Sequence, residues 1–179
     1  ILKELPRLKF IATMSTGYDH IDTDYCKKHD IIVSNVPQYG ENTVAEHTFG
    51  LILALSRNLF HTFERTRIGN FSLDGIRGFD LKGKTLGVVG TGSIGQHVIR
   101  IAKGFQMEVL AYDVNHDEEA ARKYGFEYVK LKELLKASDL ITLHAPLNKK
   151  TEHMISKKEI KQMKDGAYII NTARGGLID

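Results

Sequence analysis

The sequence predicts an α/β protein built on a doubly wound parallel sheet, and two observations carry that prediction. Short apolar runs alternate with amphipathic runs along most of the 179 residues, the order that gives parallel strands joined by crossover helices. Within that alternation, residues 85–113 read in turn as an apolar strand, the turn Gly90-Thr91-Gly92-Ser93-Ile94-Gly95, an amphipathic helix and a second strand. That strand ends at Asp113, eighteen residues after Gly95. This is the dinucleotide-binding βαβ pattern in the context it requires.

Residues 1–6 read as the tail of a helix and a turn, and residues 8–13 as an apolar strand leading into a loop at 14–20. Asp22 is placed to cap a short helix running to His29, and residues 31–36 form the next strand, followed by a loop at 37–40. This strand–loop–helix–strand unit precedes the nucleotide motif and so belongs to a different α/β unit. Thr43-Val44-Ala45-Glu46 predicts a capping box, opening a long helix with Val44, Leu51, Leu55 and Leu59 on one side and extending to Arg65. Phe49, Ile52 and Leu53 make it apolar nearly all round, which predicts burial in the core or against another subunit. Residues 69–84 are polar and contain glycine, as a surface loop does.

After Asp113 the pattern predicts helices at Glu118–Tyr124, Leu131–Ala137 and 157–163, and strands at 127–129, 140–144 and 167–172. Ligands of such sheets sit outside the carboxyl ends of the strands. Those ends are 90–95, Asp113, 144–146 and 172–174, so four separate stretches are expected to meet at one crevice.

The chemistry follows residue by residue. Gly90 permits the tight turn, Gly92 lets a pyrophosphate approach the backbone, and Gly95 lets the helix pack close to the strand. Amides near Ser93 and Ile94 can donate to phosphate oxygens, aided by the helix dipole. Asp113 would accept from the adenosine ribose hydroxyls and repel a 2′-phosphate, which favours NAD over NADP. Arg174 stands just past a strand end, followed by two glycines, and its guanidinium can bind a carboxylate with two bonds. His144 also ends a strand, where a packed histidine is the commoner role.

Composition narrows the remaining classes. The chain is 42% hydrophobic and 26% charged, with a formal net charge of +3 and scattered basic residues, so it lacks the clustered charge of a nucleic-acid binder. It has no apolar run of the roughly 18–20 residues that a membrane span requires and no visible signal peptide. A lone cysteine, Cys26, fits a reducing, cytoplasmic setting. No metal-ligand spacing links the histidines, and neither Ser15 nor Ser93 has a nucleophile-elbow context. Both ends read as interior to a longer chain.

In order, Thr16-Gly17-Tyr18-Asp19-His20-Ile21-Asp22, Val44-Ala45-Glu46-His47, the GTGSIG turn with Asp113, His144-Ala145-Pro146-Leu147 and Asn171-Thr172-Ala173-Arg174-Gly175-Gly176 resemble the D-isomer-specific 2-hydroxyacid dehydrogenases over nearly the whole chain. Val36-Pro37-Gln38-Tyr39 is most similar to the D-lactate dehydrogenase branch, where a tyrosine at the position of Tyr39 lies near substrate. The resemblance implies a truncated Rossmann sheet preceded by part of a flavodoxin-like substrate domain. The divisions would be 1–41 for the substrate domain, 42–66 for a long hinge and dimer helix, and 67–179 for an NAD-binding domain incomplete at its C-terminus.

It further implies hydride transfer between NAD(H) and a small 2-keto acid. Arg174 would grip the substrate carboxylate and polarise the keto oxygen, and the backbone at Thr16 and Gly17 would receive that carboxylate. Ser93, Ile94, Asp113, Ala145, Pro146, Thr151, Thr172 and Ala173 would contact the cofactor. The family's glutamate and histidine acid pair is expected beyond residue 179, so these residues alone should bind cofactor weakly at best and should not turn over. Reduction of glyoxylate, hydroxypyruvate or a phosphoglycerate-type substrate is an alternative within the family, and an NAD-dependent co-repressor-type module is one outside enzymes.

Overall fold

The computed structural model describes residues 1–179, which divide into two compact units, Ile1–Gly40 and Glu41–Asp179. In the first unit a 3₁₀ turn at Leu2–Glu4 leads to β1 (Phe10–Ala12), α1 (Thr23–Lys28) and β2 (Ile32–Ser34), and the two strands pair in parallel. Asp22 caps α1 as expected, its carboxylate accepting from the Tyr25 amide at 2.9 Å. The strands are shorter than the apolar runs, and Phe10 and Ile32 are exposed.

The second unit carries α2 (Glu41–Ser56), α3 (Leu59–Arg67), β3 (Thr85–Val89), α4 (Ser93–Gly104), β4 (Glu108–Tyr112), α5 (Glu118–Tyr124) and β5 (Glu127–Tyr128). It continues with α6 (Leu131–Ala137), β6 (Leu140–Leu143), α7 (Lys157–Ile160) and β7 (Tyr168–Asn171). Its five strands are parallel in the order β5-β4-β3-β6-β7. The order reverses direction at β3, which is the doubly wound arrangement with its switch point beside that strand.

Alternation along β3 builds a core on each face of the sheet. Leu86 and Val88 pack with Phe49 and Ile52 of α2 and with Val98, Ile99 and Ala102 of α4. Val89 faces the other way, into Leu134 and Leu135 of α6 with Ile141 and Leu143 of β6. Gly87 lies on that second face, where an added Cβ would run into Leu134 and Ser138.

Two expectations about the long helix are corrected. The helix begins at Glu41, so Thr43 lies within its first turn and the Thr43–Glu46 capping box does not exist. It also does not run unbroken from 42 to 66, because the chain stops being helical between Ser56 and Leu59, where Asn58 takes the left-handed conformation with φ 51°. Asparagine tolerates that region better than most residues. The cause is a later segment: the Phe79 amide donates to the Ser56 carbonyl (2.9 Å), and Asn58 Nδ2 donates to the carbonyls of Ile76 and Arg77. Within this chain the apolar surface of the helix is divided between core and exterior. Ala45, Thr48, Phe49, Ile52 and Ser56 are inside, while Leu51, Leu55, Leu59, Phe60 and Phe63 are exposed.

The loop at 69–84 is mostly on the surface, though Leu81 is buried in the core. The helix expected at 157–163 closes at Ile160.

Candidate functional site

The carboxyl ends of β4, β3, β6 and β7 lie side by side, because Val89 is in register with Tyr112 and Leu143, and Leu143 with Asn171. The four stretches expected to meet therefore leave one edge of one sheet.

The three glycines of the turn have separable roles. Gly90 has φ 94°, and a Cβ there would lie 2.7 Å from the His144 carbonyl carbon. That glycine therefore serves both the turn and the passage of the neighbouring chain. A Cβ on Gly95 would overlap the Gly90 carbonyl oxygen, so helix α4 is seated directly on the turn. A Cβ on Gly92 would meet nothing within 4 Å. Gly92 is exposed and forms the N-cap of α4, with no side chain capping the helix. The first amides of an α-helix have no intrahelical acceptor, so the Ser93 and Ile94 amides are left for an anion. This open cradle fits a dinucleotide pyrophosphate.

Asp113 is tied to the same turn. Its Oδ2 accepts from the Thr91 amide at 2.6 Å and from Thr91 Oγ1 at 3.1 Å, and its Oδ1 accepts from the Asn115 amide at 3.0 Å. Partial burial alone would raise its pKa, but these donors outweigh burial and hold the carboxyl below its usual value. Thr91, the variable position between the first two glycines, was not singled out by the sequence. Nothing in a GxG pattern specifies that residue's partners.

On the other side of β3, Ala145 is buried beside Gly90, and Thr151 fastens the loop that follows it. Thr151 Oγ1 donates to the Pro146 carbonyl (2.5 Å) and accepts from the Asn148 amide (2.9 Å). Burial drives the His144 pKa down to about 4, and its Nε2 lies 2.9 Å from Thr142 Oγ1. It is a neutral, packed ring at physiological pH.

After β7, Asn171 folds the chain back. Its Nδ2 donates to the Arg174 carbonyl (2.8 Å) while its Oδ1 accepts from the Ala173 amide (3.1 Å). Gly175–Leu177 then forms a 3₁₀ turn. Arg174 is half-buried, and its Nη1 donates to the Ala173 carbonyl at 3.0 Å. Thr172 is anchored from α2: Thr48 Oγ1 donates to the Val44 carbonyl (2.8 Å), so the Thr172 hydroxyl, 3.0 Å away, donates to Thr48. The buried Thr48 is a second residue that sequence reading passed over, because a threonine on an apolar helix carries no signal of a partner 124 positions away.

Thr16, Gly17 and Tyr39 belong to the first unit. Asn35 Nδ2 donates to the Thr16 carbonyl (2.8 Å), and Ser15 Oγ donates to the Gly17 carbonyl (2.7 Å). The loop after β1 is thus pinned beside the end of β2. Tyr39 is exposed on the segment that follows β2.

A 3-2-1-4-5 parallel sheet with a three-glycine turn, an uncapped helix start and a strand-end aspartate defines a Rossmann-type dinucleotide-binding domain. Residues 49–179 match the family model described as D-isomer specific 2-hydroxyacid dehydrogenase, NAD binding domain, and the chain belongs to that family. It is 43% identical to a D-lactate dehydrogenase of Escherichia coli K12, with all of this chain and 55% of that protein covered. It is 46% identical to an aromatic 2-oxoacid reductase of Clostridium sporogenes, with 96% and 52% covered. Among solved structures, D-lactate dehydrogenase from Aquifex aeolicus complexed with NAD and lactic acid superposes with a TM-score of 0.93 at 49% identity. That match covers 99% of this chain and 54% of the other. The chain spans about half the length of the curated relatives it matches.

Proposed function

We propose that the protein carrying this chain is a cytoplasmic, homodimeric oxidoreductase that exchanges a hydride between NAD(H) and a small 2-keto or 2-hydroxy acid, with pyruvate and D-lactate favoured. The observation that carries this reading is the carboxyl edge of the sheet, where Gly92 leaves open space in front of the uncapped α4 amides and Asp113 stands beside the same turn. NAD, when bound, supplies the hydride chemistry.

The chain's own residues bind and orient. The Ser93 and Ile94 amides hold phosphate oxygens, Gly90 and Gly95 keep the turn close to its neighbours, and Asp113 accepts from the ribose. Ala145, Pro146, Thr151, Thr172 and Ala173 complete the cofactor contacts. Arg174 grips the substrate carboxylate and stabilises charge developing on the keto oxygen, with Thr16, Gly17 and Tyr39 serving the substrate side. The exposed apolar side chains of α2 and α3 support a subunit interface. The likeness to D-lactate dehydrogenases supports pyruvate, and the aromatic 2-oxoacid reductase among the relatives keeps larger keto acids within the comparison.

The test is NADH oxidation by the full-length protein with pyruvate, glyoxylate, hydroxypyruvate and phenylpyruvate. Pyruvate is expected to give the highest kcat/KM, and no turnover with any of the four would overturn the reading. Arg174→Leu should raise KM and reduce kcat/KM on the order of 100-fold, as loss of charge-assisted hydrogen bonds requires. Unchanged kinetics would refute its role.

A further inference from the structure

We propose that Tyr128 is a positioning residue for cofactor recognition, acting through Thr91 to hold the Asp113 carboxylate in its binding orientation. This role rests on the NAD binding proposed above. Tyr128 closes the short edge strand β5, and its hydroxyl lies 2.9 Å from Thr91 Oγ1 and 3.1 Å from the Asp117 amide nitrogen. The direction of each bond in this chain is forced. A backbone N–H can only donate, so the Tyr128 oxygen accepts from Asp117. The ionised carboxylate can only accept, so Thr91 Oγ1 donates to Asp113 Oδ2. The Thr91 hydroxyl has one proton, already committed, and therefore accepts from Tyr128.

The result is an ordered relay from Asp117 N–H to Tyr128 O–H to Thr91 O–H to the Asp113 carboxylate. Aligned hydrogen bonds polarise one another, and this one ends on the group that would take the ribose hydroxyls. The relay is also rigid at its source. The Tyr128 ring is stacked on His116 (centroids 4.1 Å apart, planes at 5°) and meets Phe126 edge-on at 5.2 Å. Asp117 is itself fixed, its Oδ1 accepting from the Ala120 amide as the cap of α5 and its Oδ2 from Gln96 of α4. Without Tyr128, Thr91 loses its only side-chain donor among these contacts and its hydroxyl is free to turn away from Asp113.

The test uses Tyr128→Phe, which keeps the ring and its stacking, together with Thr91→Val and Asp113→Asn. Binding to the full-length protein is read from the emission of NADH itself, with NADPH titrated alongside. Tyr128→Phe and Thr91→Val should each weaken NADH binding about three- to ten-fold and reduce the preference for NADH over NADPH. In the Asp113→Asn background, Tyr128→Phe should have no further effect. Carbon-13 NMR titration of the Asp113 carboxyl, which needs no cofactor, should show its pKa rising in Tyr128→Phe. An unmoved carboxyl pKa with an unchanged NADH-to-NADPH ratio would overturn the relay, as would a Tyr128→Phe effect undiminished by Asp113→Asn. If the full-length protein fails to bind NADH at all, the NAD reading fails, and the carboxyl titration alone decides whether the relay exists.

Discussion

Strand β3 is held at both ends by a carboxylate that flanks a neighbouring strand, and the two ends differ in how the protein treats that charge. At the amino end the Thr85 amide donates to Asp139 Oδ2 at 2.8 Å, and at the carboxyl end the Thr91 amide donates to Asp113 Oδ2 at 2.6 Å. In both groups burial raises the pKa and donated hydrogen bonds more than reverse it, so both stay ionised. The other oxygen of Asp139 meets Lys164 Nζ at 3.0 Å, so its charge is neutralised within the protein. The donors to Asp113 are neutral groups of Thr91 and Asn115, and beside it lie the open face of Gly92 and the uncapped start of α4. At Asp113 the fold leaves the charge uncompensated and the space beside it open, which supports the binding role proposed for it. At Asp139, where Lys164 closes it, the same device is a clasp.

That contrast can be broken most forcefully through the glycines. Gly95→Ala should cost about 3 kcal/mol of stability, because neither the helix nor the Gly90 carbonyl can yield to the added methyl group. Gly92→Ala should leave stability within about 1 kcal/mol while weakening NADH binding severely, since its methyl would stand in the open cradle. Urea unfolding beside NADH titration checks both, and equal destabilisation by the two changes would erase the distinction between packing and binding glycines.

His144 supplies the next largest effect, and it is a pH effect. Its folded pKa of about 4 lies below its ordinary value of 6.5, so the unfolded chain binds the proton first. Stability is fully present above pH 6.5 and declines as pH falls towards 4, by up to about 3 kcal/mol. His144→Gln should flatten the unfolding free energy across that window. The two aspartates act lower, since both carboxyls lie below 3.8 in the folded state, and their contribution disappears as pH falls past that value.

Comparing the clasps directly should separate their roles. Asp139→Ala is expected to cost about 1–2 kcal/mol by leaving the Thr85 amide without its acceptor, with NADH affinity unchanged. Asp113→Ala should cost a similar amount and, in addition, relax the preference for NADH over NADPH. The smallest change is Lys164→Ala, worth under about 1 kcal/mol for a partly exposed pair and fading in 1 M salt.

Much of this arrangement was legible in the sequence where the determining signal is local. Helices α5 and α6 fall on the expected residues; α5 is bounded locally, with Asp117 capping it and Gly125 ending it in the left-handed conformation. The turn and packing roles of Gly90 and Gly95 followed from spacing for the same reason. The Thr43 box failed because its residues are equally at home inside a helix, and this helix starts two residues earlier, at Glu41. The break at Asn58 was invisible because residues 76–79 impose it from about twenty positions away. Tyr128 carried no signal, since a tyrosine in a two-residue edge strand is indistinguishable from packing.

The sequence by itself determined the alternation of strands and helices, the turn at Gly90–Gly95 and the acid at Asp113. Each of these follows from side-chain periodicity or from which φ angles a residue can adopt, both properties of a few neighbouring residues. Only the tertiary structure decided that Asp139 is closed by Lys164, that Thr172 donates to Thr48, and that Asp113 is reached by a relay beginning at Asp117. Those bonds join groups far apart along the chain, and their lengths depend on how helices seat on the sheet. No local pattern encodes that distance.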